Sequence, residues 1–296
     1  MIRLANISLV FGLGTPDENE ALKNISLTVK NGDFITIIGS NGAGKTSLYN
    51  AVAGTHPLTS GKIFIRPDAE APPRGSSPTA GAPTAGSLAA GSPAALSVPE
   101  REITREPEYR RARYIGRIFQ NPLLGTAGRM TLADNMMICY KKGYRGLKIS
   151  LNRQMRDYFR SELALLGMGL ENRLGDNVEL FSGGQRQALT LLMTVLSRPS
   201  LLLLDEHTAA LDPRNAELVM ELTLRFARDY KLTVMMITHN MKDALETGNR
   251  LLMMDGGEII LDIDQGEKSK LSTQDIIQRF RDIKQKELAN DEMLLG

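Results

Sequence analysis

Alternation of hydrophobic and polar positions opens the chain and predicts antiparallel strands. The segments IRLANISLVF (2–11) and KNISLTVK (23–30) alternate with a period of two, as strands with one buried face do. An NGD turn (31–33) and an apolar run (34–38) follow, and the run predicts a buried strand. A further hairpin-like segment, SGKIFIRP, begins at residue 60. We therefore expect an antiparallel β-subdomain near the N-terminus.

The second half of the chain alternates between helical and strand patterns. An amphipathic stretch from residue 182 is followed by a buried strand, LLLLD (201–205), a helix, NAELVMELTLRFARDY (215–230), and a second buried strand, LTVMMITH (232–239). Apolar strands separated by helices are typical of a parallel sheet. A DGG turn (255–257) between LLMM and EIILDI predicts a closing hairpin.

Two internal segments interrupt this pattern. Residues 68–99 are dominated by Ala, Pro, Gly and Ser, and bury too little apolar area to offset the entropy of ordering the chain. We expect a flexible surface insertion there, with a partner-binding segment as the alternative. Residues from about 130 to 180 are rich in helix-forming types with amphipathic spacing, which predicts an inserted α-helical subdomain.

The C-terminal residues, 271–296, predict a peripheral helix and a tail. Ser272 is a candidate N-cap, and Ile276, Ile277, Phe280 and Ile283 follow at helical spacing. Such an apolar stripe either packs on the domain or forms a dimer contact. The remainder, residues 1–270, is predicted to form one domain.

Composition narrows the function classes. Lys plus Arg (36) nearly balance Asp plus Glu (34), so no basic stripe for nucleic acid is expected. The single cysteine, Cys139, allows neither an intrachain disulfide nor a cysteine-based zinc cluster. The N-terminus lacks the features of a signal peptide, and no apolar run approaches the roughly 18 residues that span a bilayer. We expect a cytoplasmic protein whose membrane role would require a partner.

A phosphate-binding loop follows the apolar strand at 34–38. The sequence GSNGAGKT fits GxxxxGK followed by Ser or Thr, and lies between a strand and a helix, as this motif requires. Backbone N–H groups and the helix N-terminus would bind phosphate oxygens, the lysine would reach the outer phosphates, and the threonine would ligate Mg²⁺. The predicted ATP-binding residues here are Gly39, Ser40, Asn41, Gly42, Ala43, Gly44, Lys45 and Thr46.

Three further polar residues end buried strands, where α/β sheets form their ligand sites. Asp205 is positioned as a Mg²⁺-binding acid, and Glu206 can polarise the attacking water. His239 ends the second strand and can hydrogen-bond a γ-phosphate. A pair of solvated carboxylates and a structural histidine are the alternatives, and the phosphate-binding loop favours the catalytic interpretation.

The segment FSGGQ, residues 181–185, lies between the loop and Asp205 and completes a resemblance to ABC-type ATPases, whose signature is LSGGQ. Ser182, Gly183, Gly184 and Gln185 open a helix, so they form a second anion-binding N-terminus. The resemblance implies a P-loop NTPase fold with a RecA-like core. It also implies a head-to-tail dimer in which each ATP lies between one P-loop and the partner's signature.

The same resemblance assigns further residues. Phe11 matches the aromatic position that stacks on adenine, with a buried strand residue as the alternative. Gln120 matches the glutamine that contacts Mg²⁺ and transmits nucleotide occupancy, Asp212 the aspartate of the D-loop, and His239 the switch histidine. The catalytic set so implied is Lys45, Gln120, Glu206 and His239. Departures from the family pattern are Phe181 for leucine, His207 for proline and Ala209 for serine.

The resemblance also implies partners and a location. Transmembrane permease subunits would be driven by the dimer at the cytoplasmic face of the membrane, and a substrate-binding protein would be an indirect partner. The residues within these motifs resemble those in the ATPases of bacterial lipoprotein-dependent importers. Some of these ATPases are assigned to the transport of aromatic amino acids. An exporter ATPase and a soluble ABC protein acting on nucleic acid or ribosomes are the alternatives. The second lacks support here, because the chain has neither a second ATPase cassette nor a long coiled coil.

Overall fold

The computed structural model describes residues 1–66, 99–140 and 151–283. Most of the predicted insertion at 68–99 and the end of the predicted tail lie outside the described residues. The strands are β1 (Ile2–Phe11), β2 (Asn19–Val29), β3 (Phe34–Gly39), β4 (Ser60–Ile65), β5 (Arg101–Glu102), β6 (Ile115–Ile118), β7 (Leu201–Asp205), β8 (Val234–Ile237), β9 (Arg250–Asp255) and β10 (Glu258–Asp264). The helices are α1 (Lys45–Ala53), α2 (Glu108–Arg111), α3 (Leu132–Tyr140), α4 (Arg153–Ala164), α5 (Gly183–Leu196), α6 (Pro213–Asp229), α7 (Met241–Glu246), α8 (Gln265–Lys268) and α9 (273–283).

A four-stranded antiparallel sheet is built from the N-terminal half in the order β2-β1-β4-β5. Strand β1 lies between two partners, so Leu4 is paired with Leu27 on one side and with Ile63 on the other. Alternate residues of β1 are buried, which follows from the period-two pattern of the sequence. The strands predicted at 2–11 and 23–30 are both present, and the second begins earlier, at Asn19.

A six-stranded sheet has the order β10-β9-β3-β8-β7-β6. All neighbours from β9 to β6 are parallel, and β10 closes the sheet as an antiparallel edge strand. Both residues of the β9–β10 turn, Gly256 (φ 52°) and Gly257 (φ 87°), have positive φ, as a tight type I′ hairpin requires. The α/β fold class is therefore confirmed, together with the parallel sheet and its closing hairpin.

Two apolar layers cover the six-stranded sheet. One fills the space between the two sheets and includes Ile7, Leu48 and Leu203, all fully buried. The other lies between the sheet and helices α3 to α6 and includes Phe159 and Leu189. Because both faces are covered, polar groups of the central strands emerge at the carboxyl ends, where β3, β7 and β8 terminate side by side.

Helices α3 and α4 occupy the region in which a helical subdomain is predicted. Asn152 caps α4 by accepting a hydrogen bond from the backbone N–H of Met155, and Phe159 buries the apolar face of that helix. Near the C-terminus, Ile276 of α9 is buried in a small apolar cluster with Ile38. Its neighbour Ile277 is exposed, because adjacent helical residues point about 100° apart.

None of the helices within the described ranges combines the length and apolarity needed to cross a bilayer. The longest complete one, α6, has 17 residues and an amphipathic pattern with one buried face.

Candidate active site

The loop between β3 and α1 owes its shape to glycines. Gly39 has φ 152°, and a Cβ at this position would overlap the carbonyl oxygen of Met254 in the neighbouring strand β9. Gly44 has φ 94°, and its Cβ would lie 2.6 Å from the carbonyl oxygen of Ala21. Helix α1 starts directly after Gly44 with no side-chain cap, so its first N–H groups point into the loop. The sequence therefore builds an uncapped helix N-terminus that can bind phosphate.

Lys45 lies inside this loop, almost fully buried. Its Nζ donates to the carbonyl oxygens of Gly39 and Ser40, each at 2.8 Å. Burial lowers the pKa of Lys45, and the nearby carboxylates of Glu206 and Asp205 oppose that shift by favouring the charged form. The ammonium group is thus held where phosphate oxygens bound in the loop would approach it.

A cleft of about 510 Å³ opens above the loop. Phe11 stands at its edge with 38% of its surface exposed, so the alternative of a buried strand residue is wrong. Its ring packs edge-to-face on His56, with centroids 5.3 Å apart. The same cleft is lined by Glu206 and by loop residues 41–46, so an aromatic platform, a phosphate loop and a carboxylate share one cavity.

Glu206 and His239 lie together at the carboxyl ends of two neighbouring strands of the six-stranded sheet. The two follow β7 and β8, which are neighbours, and His239 Nε2 lies 2.6 Å from Glu206 Oε1. Since a carboxylate only accepts hydrogen bonds, the imidazole donates through Nε2. Glu206 has φ 47°, an uncommon value for a residue with a side chain, and its side chain is only 17% exposed. The pair can orient a water molecule near a phosphate bound in the loop.

Asp205 ends β7 and is held by Arg117 from the adjacent strand β6. Arg117 Nη2 lies 3.2 Å from Asp205 Oδ2, and both side chains are 13% exposed. Nη1 of the same guanidinium donates to Asn50 Oδ1 of α1 at 2.7 Å. The acid therefore has a fixed orientation beside the start of the phosphate-binding helix.

The donor set suits Mg²⁺. Mg²⁺ is usually held by one or two carboxylates and hydroxyls, with water and substrate phosphates completing its shell. Asp205 and the Thr46 hydroxyl are groups of this kind, and Gln120, an exposed residue just after β6, can add an amide oxygen. Among the described residues, no three or more His, Cys, Asp or Glu side chains are grouped so that they could hold a metal ion. Hydroxyl, amide and phosphate oxygens would therefore have to complete the Mg²⁺ shell.

The signature segment lies at the start of α5, and its residues do not line the cleft above the P-loop. Ser182 Oγ accepts from the backbone N–H of Gln185 at 3.2 Å, and Gln185 Oε1 accepts from the N–H of Ser182 at 3.1 Å. This capping box closes the outer part of the helix end. Gly184 faces α6, where a Cβ would lie 2.5 Å from Asn215 Cγ.

Asp212 lies at the start of α6, the helix that packs against the signature segment. It caps α6 and accepts from the backbone N–H of Asn215 at 3.2 Å and from its Nδ2 at 2.6 Å. These two hydrogen bonds lower the pKa of the Asp212 carboxyl. Asn215 therefore lies against both Asp212 and Gly184, and none of these three residues lines the P-loop cleft.

Several residues that shape the site escape prediction from sequence. Arg117 holds Asp205, and Asn50 in turn holds Arg117 by accepting a hydrogen bond from it. Asp255 accepts from Ser40 Oγ at 2.9 Å, and Gly257 N–H donates to the carbonyl of Ala43 at 3.2 Å, so the β9–β10 turn supports the loop. A lone arginine within the apolar strand IGRI was the one local signal, since an arginine there needs a partner.

Comparison with known proteins assigns the family. A family model described as ABC transporter matches residues 22–209, more than half of the chain. A tyrosine transport ATP-binding protein of Clostridioides difficile is 34% identical over 281 residues, covering 95% of this chain and 98% of the relative. A methionine import ATP-binding protein of Enterococcus faecalis is 30% identical over 300 residues, covering 99% of this chain and 75% of the relative.

Solved structures agree on the fold. An ATP-binding cassette in a dimeric post-hydrolysis state, bound to ADP and Pi, matches with a TM-score of 0.65 and 22% identity, covering 90% of this chain and 99% of that one. A nucleotide-free cassette of an ABC transporter matches with a TM-score of 0.64 and 21% identity, covering 91% and 93%. Family match, full-length relatives and cassette fold lead to one conclusion: this chain belongs to the ABC transporter family and is an ATP-binding, ATP-hydrolysing protein of that family.

Proposed function

We propose that this ATPase is the motor of a membrane transporter and that it hydrolyses ATP only as a head-to-tail pair. The observation that carries the proposal is that two helix N-termini suited to anions lie apart, since only the first lines the cleft. One chain cannot bring both to the same phosphate without large movement. A second copy can, because its signature segment would cover the P-loop cleft of the first.

In this proposal, different residues of the cleft bind different parts of ATP. The ring of Phe11 stacks on adenine, the loop from Gly39 to Thr46 binds the phosphates, and Lys45 neutralises their charge. Ser182, Gly183, Gly184 and Gln185 of the second copy bind the γ-phosphate, with Asp212 crossing the interface. Pairing excludes water from the phosphates, which strengthens each of these electrostatic contacts.

Glu206 accepts a hydrogen bond from the attacking water and takes its proton as the water oxygen bonds to the γ-phosphorus. The bond from that phosphorus to the β-phosphate oxygen breaks, ADP leaves with the electron pair, and the proton passes from Glu206 to the phosphate product. His239 turns from Glu206 to the γ-phosphate and holds it in line. Asp205, Thr46 and Gln120 would hold Mg²⁺, which when bound neutralises charge on the β- and γ-phosphates.

The transport role is supported by the names of the relatives, since two of them are described for tyrosine transport and methionine import. We infer import of a small solute such as an amino acid, at the cytoplasmic face of the membrane. Two permease subunits would receive the motion of the dimer, and a substrate-binding protein would be an indirect partner. Leu123 and Leu124, three and four residues after Gln120, are exposed and offer apolar surface for a permease helix.

Replacement of Glu206 tests the catalytic part of the proposal. Glu206→Gln should bind ATP normally and reduce Mg²⁺-dependent hydrolysis by at least about 100-fold, because the group that polarises the water is lost. With ATP it should elute as a dimer in size-exclusion chromatography with light scattering. Glu20→Gln, which alters another carboxylate lining the same cleft, is the matched control. Normal turnover by Glu206→Gln would refute the role of Glu206.

Copurification tests the transport part. The wild-type protein, isolated from its own gently solubilised membranes, should carry with it a multi-span permease detectable by mass spectrometry. Recovery of ribosomes or nucleic acid in its place would contradict the transporter role and leave the ATPase chemistry untouched.

A further inference from the structure

We propose that Arg117 is a positioning residue that holds the Asp205 carboxylate and opposes a divalent cation there, so that the site takes up Mg²⁺ together with ATP and not before it. The inference rests on the proposed role of Asp205 in binding Mg²⁺. It assigns to Arg117 a function that neither the motifs of the sequence nor the names of the relatives contain.

The position of Arg117 is unusual for its chemistry. Strand β6 has the sequence IGRI, and both isoleucines are buried. Arginine is rarely buried unless it is paired, because removing a charge from water is costly. Here only 13% of the Arg117 side chain is exposed, so its partners must compensate the charge.

Three contacts fix the guanidinium. Nη2 reaches Asp205 Oδ2 at 3.2 Å, Nη1 donates to Asn50 Oδ1 at 2.7 Å, and the group lies 4.6 Å from the centroid of the Phe119 ring. The contacts belong to three different elements or their ends: β7, α1 and the residue after β6. A planar, rigid guanidinium held in this way keeps its position, whereas a free surface arginine would not.

The positive charge of Arg117 disfavours a divalent cation beside Asp205. The guanidinium group of arginine is cationic, so Asp205 faces the positive charge of Arg117 in addition to that of Lys45. The pair is largely shielded from solvent, which leaves repulsion between the guanidinium and a divalent cation poorly screened. The carboxylates of Asp205 and Glu206 are opposed by Arg117 and Lys45, so the four groups together offer no net negative charge. The phosphates of ATP supply that charge, and metal uptake therefore depends on nucleotide.

Binding of Mn²⁺ to the nucleotide-free protein tests this directly, because electron paramagnetic resonance reports free Mn²⁺ without any need for hydrolysis. Arg117→Met should bind Mn²⁺ at least about tenfold more tightly than the wild type, since the opposing charge is gone. Arg117→Lys is the matched control. It keeps the charge but loses the planar fork, and its Mn²⁺ affinity should stay within about threefold of the wild type.

Two variants separate the possible causes. Combining Arg117→Met with Asp205→Asn should abolish the gain, because the gain requires the carboxylate. Should Arg117→Met not fold, Arg117→Gln, which retains a hydrogen-bonding group without charge, replaces it. The inference is overturned if the uncharged variants bind Mn²⁺ no more tightly than the wild type, or if Arg117→Lys gains as much as they do.

A separate measurement isolates the proposed function from this inference. Calorimetry compares the ATP affinity of Asp205→Asn with that of the wild type, in EDTA and in excess Mg²⁺. An unchanged response to Mg²⁺ in that variant would refute Asp205 as a metal ligand. A lost response together with unchanged Mn²⁺ binding in Arg117→Met would refute the role of Arg117 alone.

Discussion

Two helix N-termini in this molecule are suited to anions, and they are built in different ways. Helix α1 begins after Gly44 with no side-chain cap, so its first N–H groups are left for a ligand. Helix α5 begins after Ser182, whose hydroxyl and the side chain of Gln185 satisfy each other's backbone N–H groups. The first end is open in the single chain, and the second is partly closed by its own residues.

The difference matches the partner that each end receives. The P-loop meets a free nucleotide from solvent, and glycines such as Gly39 fix its backbone in advance through positive φ. The signature end is held by two side-chain hydrogen bonds of 3.1 and 3.2 Å, which in the proposed pair would be exchanged for phosphate oxygens of the ATP on the other chain. We therefore expect the preformed end to bind ATP in the single chain and the self-capped end to bind it only in the proposed pair.

The largest expected effect separates the two ends through their glycines. Gly39→Ala should lower the free energy of unfolding by at least about 3 kcal/mol, since the new methyl group would overlap Met254 at a backbone conformation that alanine avoids. Gly183→Ala is the matched control, because its Cβ would meet only Leu211 Cδ2 at 3.7 Å. Chemical denaturation measures both, and equal stability of the two variants would contradict the preformed P-loop.

Next in size is the loss of the buried ammonium group of the P-loop. Lys45→Met should weaken ATP binding by about 100-fold in calorimetry, since a charged hydrogen bond to phosphate disappears. Lys23→Met removes another lysine that lines the cleft but is exposed, and should cost less than about threefold. Similar losses in the two variants would show that the cleft recognises phosphate by general charge and not through Lys45.

A smaller effect concerns Lys268, whose ammonium group lies beside Thr36 of β3, the strand before the P-loop. Lys268 is buried and donates to the carbonyls of Thr247 and Gly248, and burial lowers its pKa to about 8. Unfolding restores a pKa near 10.5, so the unfolded chain binds more protons between these values and stability rises with pH there.

The difference in unfolding free energy between wild type and Lys268→Met should therefore change by roughly 2 kcal/mol between pH 8 and pH 10, in favour of the wild type at the higher pH. Urea denaturation at several pH values measures it. A difference that stays constant with pH would mean that Lys268 does not titrate in this range.

The smallest expected effect on stability lies at the signature end. Ser182→Ala should cost about 1 kcal/mol, the usual value of an N-cap, and leave ATP binding by the single chain unchanged. The rate of hydrolysis should fall by more than this loss of stability explains, because in the proposed pair Ser182 binds the ATP of the other chain. Ser272→Ala removes the hydroxyl that accepts from the N–H of Asp275 near the C-terminus and should leave hydrolysis intact. Reduced ATP binding by Ser182→Ala would contradict the division between the two ends.

Local patterns predicted the strands and the phosphate loop well. The loop is one contiguous motif, and the period-two alternation of β1 reflects a single buried face, so neighbouring residues contain the needed information. The meeting of Glu206 and His239 was also accessible, because parallel strands bring their carboxyl ends to one edge.

Contacts between distant segments could not be predicted in the same way. Arg117 reaches Asn50 and Asp205 only after β6, α1 and β7 have packed, and no spacing rule connects these positions. The capping box at Ser182 is visible in the sequence pattern, whereas the close approach of Gly184 to Asn215 depends on how α5 crosses α6. The roles of the predicted site residues remain proposals that the variants above test.

The pairing of Ile65 with Arg101 joins β4 to the edge strand β5 across a long connection. In the unfolded chain the two ends must find each other by diffusion, and the entropy lost on closure grows only with the logarithm of the connection length. Shortening the connection to a tight turn would thus be worth only about 2 kcal/mol. Since β4 lies between β5 and β1, the strand that carries Phe11 to the cleft, chain length can vary at this edge while the chemistry of the cleft stays the same.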